Sequence, residues 1–190
     1  MNTKDITMMA MFAAIIGVLG LFPPLVLPFS PVPITAQTLG VMLAGSILGA
    51  KRGGGSVLLV VALIAVGAPL LSGGRGGLGM LLAPGGGYIL AWPIAAFVIG
   101  MIVHRAKKVT VINAVMANLA GGIIIIHAIG ILYFSWLADL PLTAAALSSL
   151  TFLPGDLAKA MIASFLSVKI LQHSPFIFEN DTGVKNVEHS

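Results

Sequence analysis

Cysteine is missing from this 190-residue chain, and only 8% of the residues carry charge. Without thiols there is no disulfide framework, no thiolate metal site and no cysteine nucleophile. Acidic side chains are absent from Ile6 through Ala138, a gap longer than half the chain. There is also no Walker A motif, no H-E-x-x-H pair and no Ser-His-Asp signature, which leaves any ATP-driven work to another chain.

What fills the sequence is apolar: 58% of residues, with a mean hydropathy of +1.07. Soluble domains average roughly 45–50% apolar and about 25% charged residues. A chain this short has too little interior to hide the excess from water. A free cytosolic enzyme and a disordered or fibrous chain are both excluded, and the bilayer is the remaining solvent. The net charge of +4 does not indicate nucleic acid, because the ten basic residues are scattered rather than gathered in a stripe.

Proline, glycine and charge cut the chain into six apolar stretches, at about 6–22, 35–50, 56–71, 86–103, 111–133 and 154–171. At 1.5 Å per residue they reach roughly 24–35 Å, against about 30 Å of hydrocarbon. The expected fold is an all-α membrane protein with six transmembrane helices in one domain, residues 1–171, followed by a polar cytoplasmic tail, 172–190. The first stretch runs too long for a signal peptide, and Asp5 sits in its basic flank. Lys4, Lys51, Arg52, Arg105, Lys107, Lys108, Lys169 and Lys185 all fall on one side of a six-span zigzag. The positive-inside rule makes that side, with both termini, cytoplasmic in a multi-pass protein of the cell membrane.

The opposite side differs in kind. Residues 22–33 hold Pro23, Pro24, Pro28, Pro31 and Pro33, a stiff segment with few backbone donors, and 72–87 is rich in glycine. A third connection, 137–153, has room for a short surface helix. Polar groups gather at the same depth. Asp156 and Lys159 lie at i and i+3 on one helix face. Thr35, Gln37 and Thr38 open helix 2, Tyr88 opens helix 4, and Arg75 sits in the glycine-rich loop. The inner helix halves read as almost wholly apolar. A channel or proton relay would string polar groups right across. A cup open outward and closed below fits the distribution better.

Other features have plainer readings. Gly74-Arg75-Gly76-Gly77-Leu78-Gly79 matches G-x-G-x-x-G formally, but no strand precedes it and no acidic residue follows at the required distance. Close backbone approach to a ligand is its functional alternative, which brings in Gly76 and Gly77. His127 has no acidic neighbour in sequence and reads as hydrogen-bonded packing. Asn118 reads as glue between helices and secondarily as a site residue. Trp92-Pro93 marks an expected kink in helix 4. The small-residue pairs Gly45/Gly49 and Ala117/Gly121 suit internal helix crossings, whereas Ala10/Ala14 lies near the cytoplasmic end of helix 1, where a partner could dock.

Four blocks in one register carry a resemblance: Pro33-Ile34-Thr35-Ala36-Gln37-Thr38-Leu39, Gly73-Gly74-Arg75-Gly76-Gly77-Leu78-Gly79, Pro84-Gly85-Gly86-Gly87-Tyr88, and Phe152-Leu153-Pro154-Gly155-Asp156-Leu157-Ala158-Lys159-Ala160. Together they resemble the BioY family, the biotin-specific substrate-binding (S) components of energy-coupling-factor (ECF) transporters, over about residues 6–171. The resemblance implies six membrane helices, capture of biotin from outside, and uptake driven by a membrane coupling subunit with two cytoplasmic ATPases. It implies no cofactor and no catalysis by this chain, and it makes Ala10 and Ala14 the contact with the coupling subunit. Biotin offers a ureido ring with two N–H donors, an apolar sulfur ring and a carboxylate. The implied binding set is Gln37, Arg75, Gly76, Gly77, Tyr88, Asn118, Asp156 and Lys159. Asp156 accepts a ureido N–H, Lys159 donates to the ureido oxygen or supports Asp156, and Arg75 or loop amides meet the carboxylate. An S component for another small vitamin, or a stand-alone small-solute carrier, would share the fold and differ in the site or in the need for ATP.

Overall fold

A computed structural model describes residues 2–27, 30–106 and 108–173. Pro28, Lys107, Lys185 and the tail beyond residue 173 lie outside the described residues. Helix α1 (Thr3–Leu19) opens on Asn2, whose N–H donates to Asp5 3.1 Å away. It ends at Gly20, where a Cβ would come within 2.2 Å of the Leu70 carbonyl oxygen. The proline-rich segment then forms an antiparallel ribbon, β1 (Leu25–Leu27) and β2 (Ser30–Ile34), in place of the irregular stiff segment expected. Proline is tolerated there because both strands of a two-stranded ribbon are edges.

Helix α2 (Gln37–Ala65) covers the two stretches expected as helices 2 and 3, and it reverses at Gly49, with φ 81° and ψ 179°. A straight 29-residue helix would be about 43 Å long. Yet Gln37 bonds Leu70 and Ser72, only a few residues beyond its other end. A Cβ on Gly53 would sit 2.6 Å from the Ala44 oxygen, so the two limbs lie side by side. The second limb stops at Ala65 rather than near 71, where Gly67 (φ 104°) and Pro69 follow.

A short α3 (Leu78–Leu81) leads to α4 (Gly86–Arg105), which continues through Pro93. Next comes one long rod. It comprises α5 (Val111–Asn118), a π-helical segment (Leu119–Ile125) and α6 (Ile126–Leu137). Thr110 caps it by accepting from the Asn113 N–H at 3.2 Å. The expected surface helix is α7 (Leu142–Ser149), joined by a 3₁₀ turn (Leu150–Phe152) to α8 (Leu153–His173).

Glycines set the helix crossings. A Cβ at Gly45 would meet the Ala96 oxygen at 2.5 Å, one at Gly100 the Gly49 carbonyl carbon at 2.3 Å, and one at Gly121 the Ala95 oxygen at 2.7 Å. Backbones therefore touch where α2, α4 and the long rod cross, the arrangement small residues permit in lipid. Among the described residues, three helical runs are long and apolar enough to cross a membrane: Gln37–Ala65, folded on itself, Gly86–Arg105 and Val111–Leu137. Large apolar side chains such as Leu58, Phe97, Ile124 and Phe165 remain exposed on outer faces. The two ends differ in charge. Asp5 pairs with Arg52 at 3.0 Å beside the α2 reversal, and His104 bonds the Ser46 carbonyl there, so α1, α2 and α4 bring basic residues to the same end.

Candidate functional site

A hollow of about 880 Å³, its open mouth included, lies at the opposite end. Its wall is assembled from β2, the start of α2, the loop before α4, the first turns of α4 and α6, and the start of α8. Asp156 is its ionic centre and is only 6% exposed. Lys159 stands 2.7 Å from Asp156 Oδ1, and the Nε2–H of His127 donates to Oδ2 at 2.9 Å. The Lys159 ammonium also donates to the Thr35 carbonyl and to Thr38 Oγ1, each at 2.8 Å, so its three protons are all engaged. The expected Asp156–Lys159 pair is thus real and is tied to the start of α2, 121 residues away in sequence.

Tyr88 and Gln37 also line the hollow. The Tyr88 hydroxyl is hydrogen-bonded to Ser149, and its ring meets His127 and Phe152 edge to face, each with centroids 5.9 Å apart. Gly130 makes room for that ring, since a Cβ there would lie 2.4 Å from it. Gln37 is fully buried and works as a brace. Its Nε2 donates to the Leu70 oxygen at 3.0 Å and the Ile16 oxygen at 3.4 Å, while its Oε1 accepts from the Ser72 N–H at 3.2 Å. The loop Leu71–Arg75 closes on itself through Gly73 (φ 81°) and Gly74 (φ 68°), conformations open to glycine. It presents an exposed Arg75 at the mouth, anchored by its Nε–H donating to the Ser72 oxygen at 3.0 Å.

Three expected residues lie elsewhere. Gly77 donates its N–H to the Ile64 oxygen at 2.7 Å, and Gly76 is pressed on the Ala68 carbonyl; both hold the loop to the end of α2 rather than facing the hollow. Asn118 sits nine residues before His127 on the same rod, about two helical turns deeper. There its side chain accepts from Ser46 Oγ at 3.2 Å and donates to Ser164 Oγ at 2.9 Å, a buried contact between three helices. The inner half is therefore not wholly apolar, but its polar groups satisfy one another. Met42, packed over Gly122, and Val41 lie between that level and the hollow.

His127 reads as packing in the sequence, because its acidic partner is 29 residues away. The π-helical segment just before it hides the pairing further, since each inserted residue turns everything after it by about 100° and breaks the helical-wheel phase. Trp92 also lines the hollow, and its Nε1 is a buried side-chain nitrogen with no hydrogen-bond partner among the described residues.

Comparison with known proteins follows the same lines. A sequence profile described as the BioY family matches residues 1–176. The chain belongs to the BioY family. It is 44% identical over 183 residues to the biotin transporter BioY of Rhizobium etli, covering 93% of this chain and 98% of that protein. It is 46% identical over 168 residues to the probable biotin transporter BioY of Bacillus subtilis, covering 88% and 90% respectively. The fold matches a crystal structure of the S-component for biotin from an ECF-type ABC transporter with a TM-score of 0.86, at 34% identity over 90% of this chain and 95% of the other.

Proposed function

We propose that this chain is a membrane-embedded biotin-binding subunit, the S component of an ECF-type transporter, and that it is not itself an enzyme. The observation that carries the reading is the Asp156 carboxylate, buried and held by Lys159 and His127 at one end of the protein, inside a hollow whose remaining wall is mainly apolar. A ureido ring needs a buried acceptor for its N–H groups, and a charged acceptor gives the stronger bond. Asp156 keeps lone pairs for that bond, Lys159 supports Asp156, and the apolar wall takes the sulfur ring. Arg75 at the mouth meets the ligand carboxylate, with Gln37 bracing the loop that carries it.

The rest of the chain supports such a subunit. Helix α1, the two limbs of α2, α4, the rod from Val111 to Leu137 and α8 make six passes in one domain, residues 1–171, of a cell-membrane protein. The basic end faces the cytoplasm with both termini, and the hollow opens outward. Because the sequence has no native cysteine, single cysteines placed at either end can be labelled from one side of the membrane without background. Ala10 and Ala14 are exposed on α1, as a coupling subunit that works with two ATPases requires.

The deciding experiment is equilibrium binding of labelled biotin to the detergent-purified chain, alongside a vitamin panel. Saturable, tight biotin binding is expected. Tight binding of thiamine or riboflavin with none of biotin would replace the ligand, and uptake by vesicles lacking any ATPase would replace the S-component role with a stand-alone carrier.

A further inference from the structure

Most polar atoms in the hollow already have partners. The protons of Lys159 are engaged, the Gln37 amide is tied to backbone, and the Tyr88 hydroxyl is held by Ser149. His127 is different. Its Nε2–H goes to Asp156, but Nδ1 has no partner among the described residues. Nor is Nδ1 sealed in, because the buried side-chain nitrogen lacking a partner there is Trp92 Nε1.

The charged and titratable groups facing His127 are Asp156 and Lys159 on α8 and Tyr88 on α4. Asp156 and Lys159 already cancel each other. In the tautomer that donates Nε2–H to Asp156, Nδ1 carries a bare lone pair.

We propose that His127 touches the ligand, with Nδ1 accepting an N–H beside the Asp156 carboxylate. The inference rests on the biotin reading above: a cyclic urea has two N–H donors, and this geometry supplies an imidazole acceptor next to the carboxylate. His127 is then a specificity-determining residue, because it rewards a ligand that brings an N–H group.

Two variants separate contact from support. His127→Gln places an N–H near the Nε2 position for Asp156 but has no atom at Nδ1; His127→Asn keeps an oxygen acceptor near Nδ1. Biotin binding is measured by calorimetry on wild type and both variants, with size-exclusion profiles and melting temperatures as fold controls. The Gln variant is expected to bind about tenfold more weakly than wild type, the worth of one hydrogen bond, and the Asn variant more tightly than the Gln variant. Asp156, Lys159 and Tyr88 are common to all three, so the ranking isolates His127. Equal affinities of wild type and Gln variant, or an Asn variant no tighter than the Gln variant, overturn the contact while leaving the biotin reading intact. Absence of biotin binding by the wild type overturns that reading first.

Discussion

Asp156 is the residue on which the site balances. Both of its oxygens are held by cations or N–H donors, and replacing the carboxylate by an amide leaves Lys159 as an uncompensated buried charge. Breaking a buried charged pair costs roughly 3–5 kcal/mol. Asp156→Asn is therefore expected to lose most biotin affinity, and calorimetry on the folded variant checks it. Gly130 gives a second residue-level test. A methyl group there would strike the Tyr88 ring, so Gly130→Ala is expected to displace that wall and weaken biotin binding. Gly67→Ala, at a glycine with nothing within 4 Å of a built Cβ but φ 104°, serves as a contrast that strains the backbone away from the hollow. The Asp156–Lys159 pair was legible in the sequence because a spacing of three on one helix guarantees a shared face. The His127–Asp156 bond was not, since nothing local links residues on two separate helices.

At the scale of elements, the reversal within α2 decides whether a hollow exists. Gly49, at φ 81° and ψ 179°, occupies a region essentially reserved for glycine. Its two limbs carry Gln37 and the anchor for the Leu71–Arg75 loop to the same end of the molecule. Gly49→Ala is expected to cost about 1–3 kcal/mol in backbone strain, read as a lower melting temperature in detergent, with His104 also crowded by the new methyl group. Gln37→Ala should leave the helices in place but release the loop. Weaker biotin binding together with faster proteolysis at residues 71–77 is the expected readout. The basic turn at Lys51-Arg52 announced the reversal in the sequence, because charge cannot stay in hydrocarbon. The ribbon of β1 and β2 was not announced, since prolines argue against strands until both strands are seen to be edges.

For the whole molecule, the surfaces proposed for binding and for coupling are separate. The hollow opens at one end, while Ala10 and Ala14 lie exposed on the flank of α1 near the other. Large substitutions such as Ala10→Trp with Ala14→Trp are thus expected to leave biotin binding intact and abolish uptake into cells that contain the coupling subunit and ATPases. Loss of binding and uptake together would show that α1 shapes the site instead.

Composition and charge placement alone pointed to a membrane protein built of helices with most of its basic residues at one end. Those properties are sums over local transfer energies and need no knowledge of neighbours. Pairing within one helix was equally local. Which helices meet was another matter. The crossings depend on glycine backbones in contact at Gly45, Gly100 and Gly121, and the phase of α6 depends on a π-helical segment. Such close-range packing gathered Gln37, His127 and Asp156 at one hollow and took Asn118 into the interior, because depth and facing direction exist only once the helices have docked.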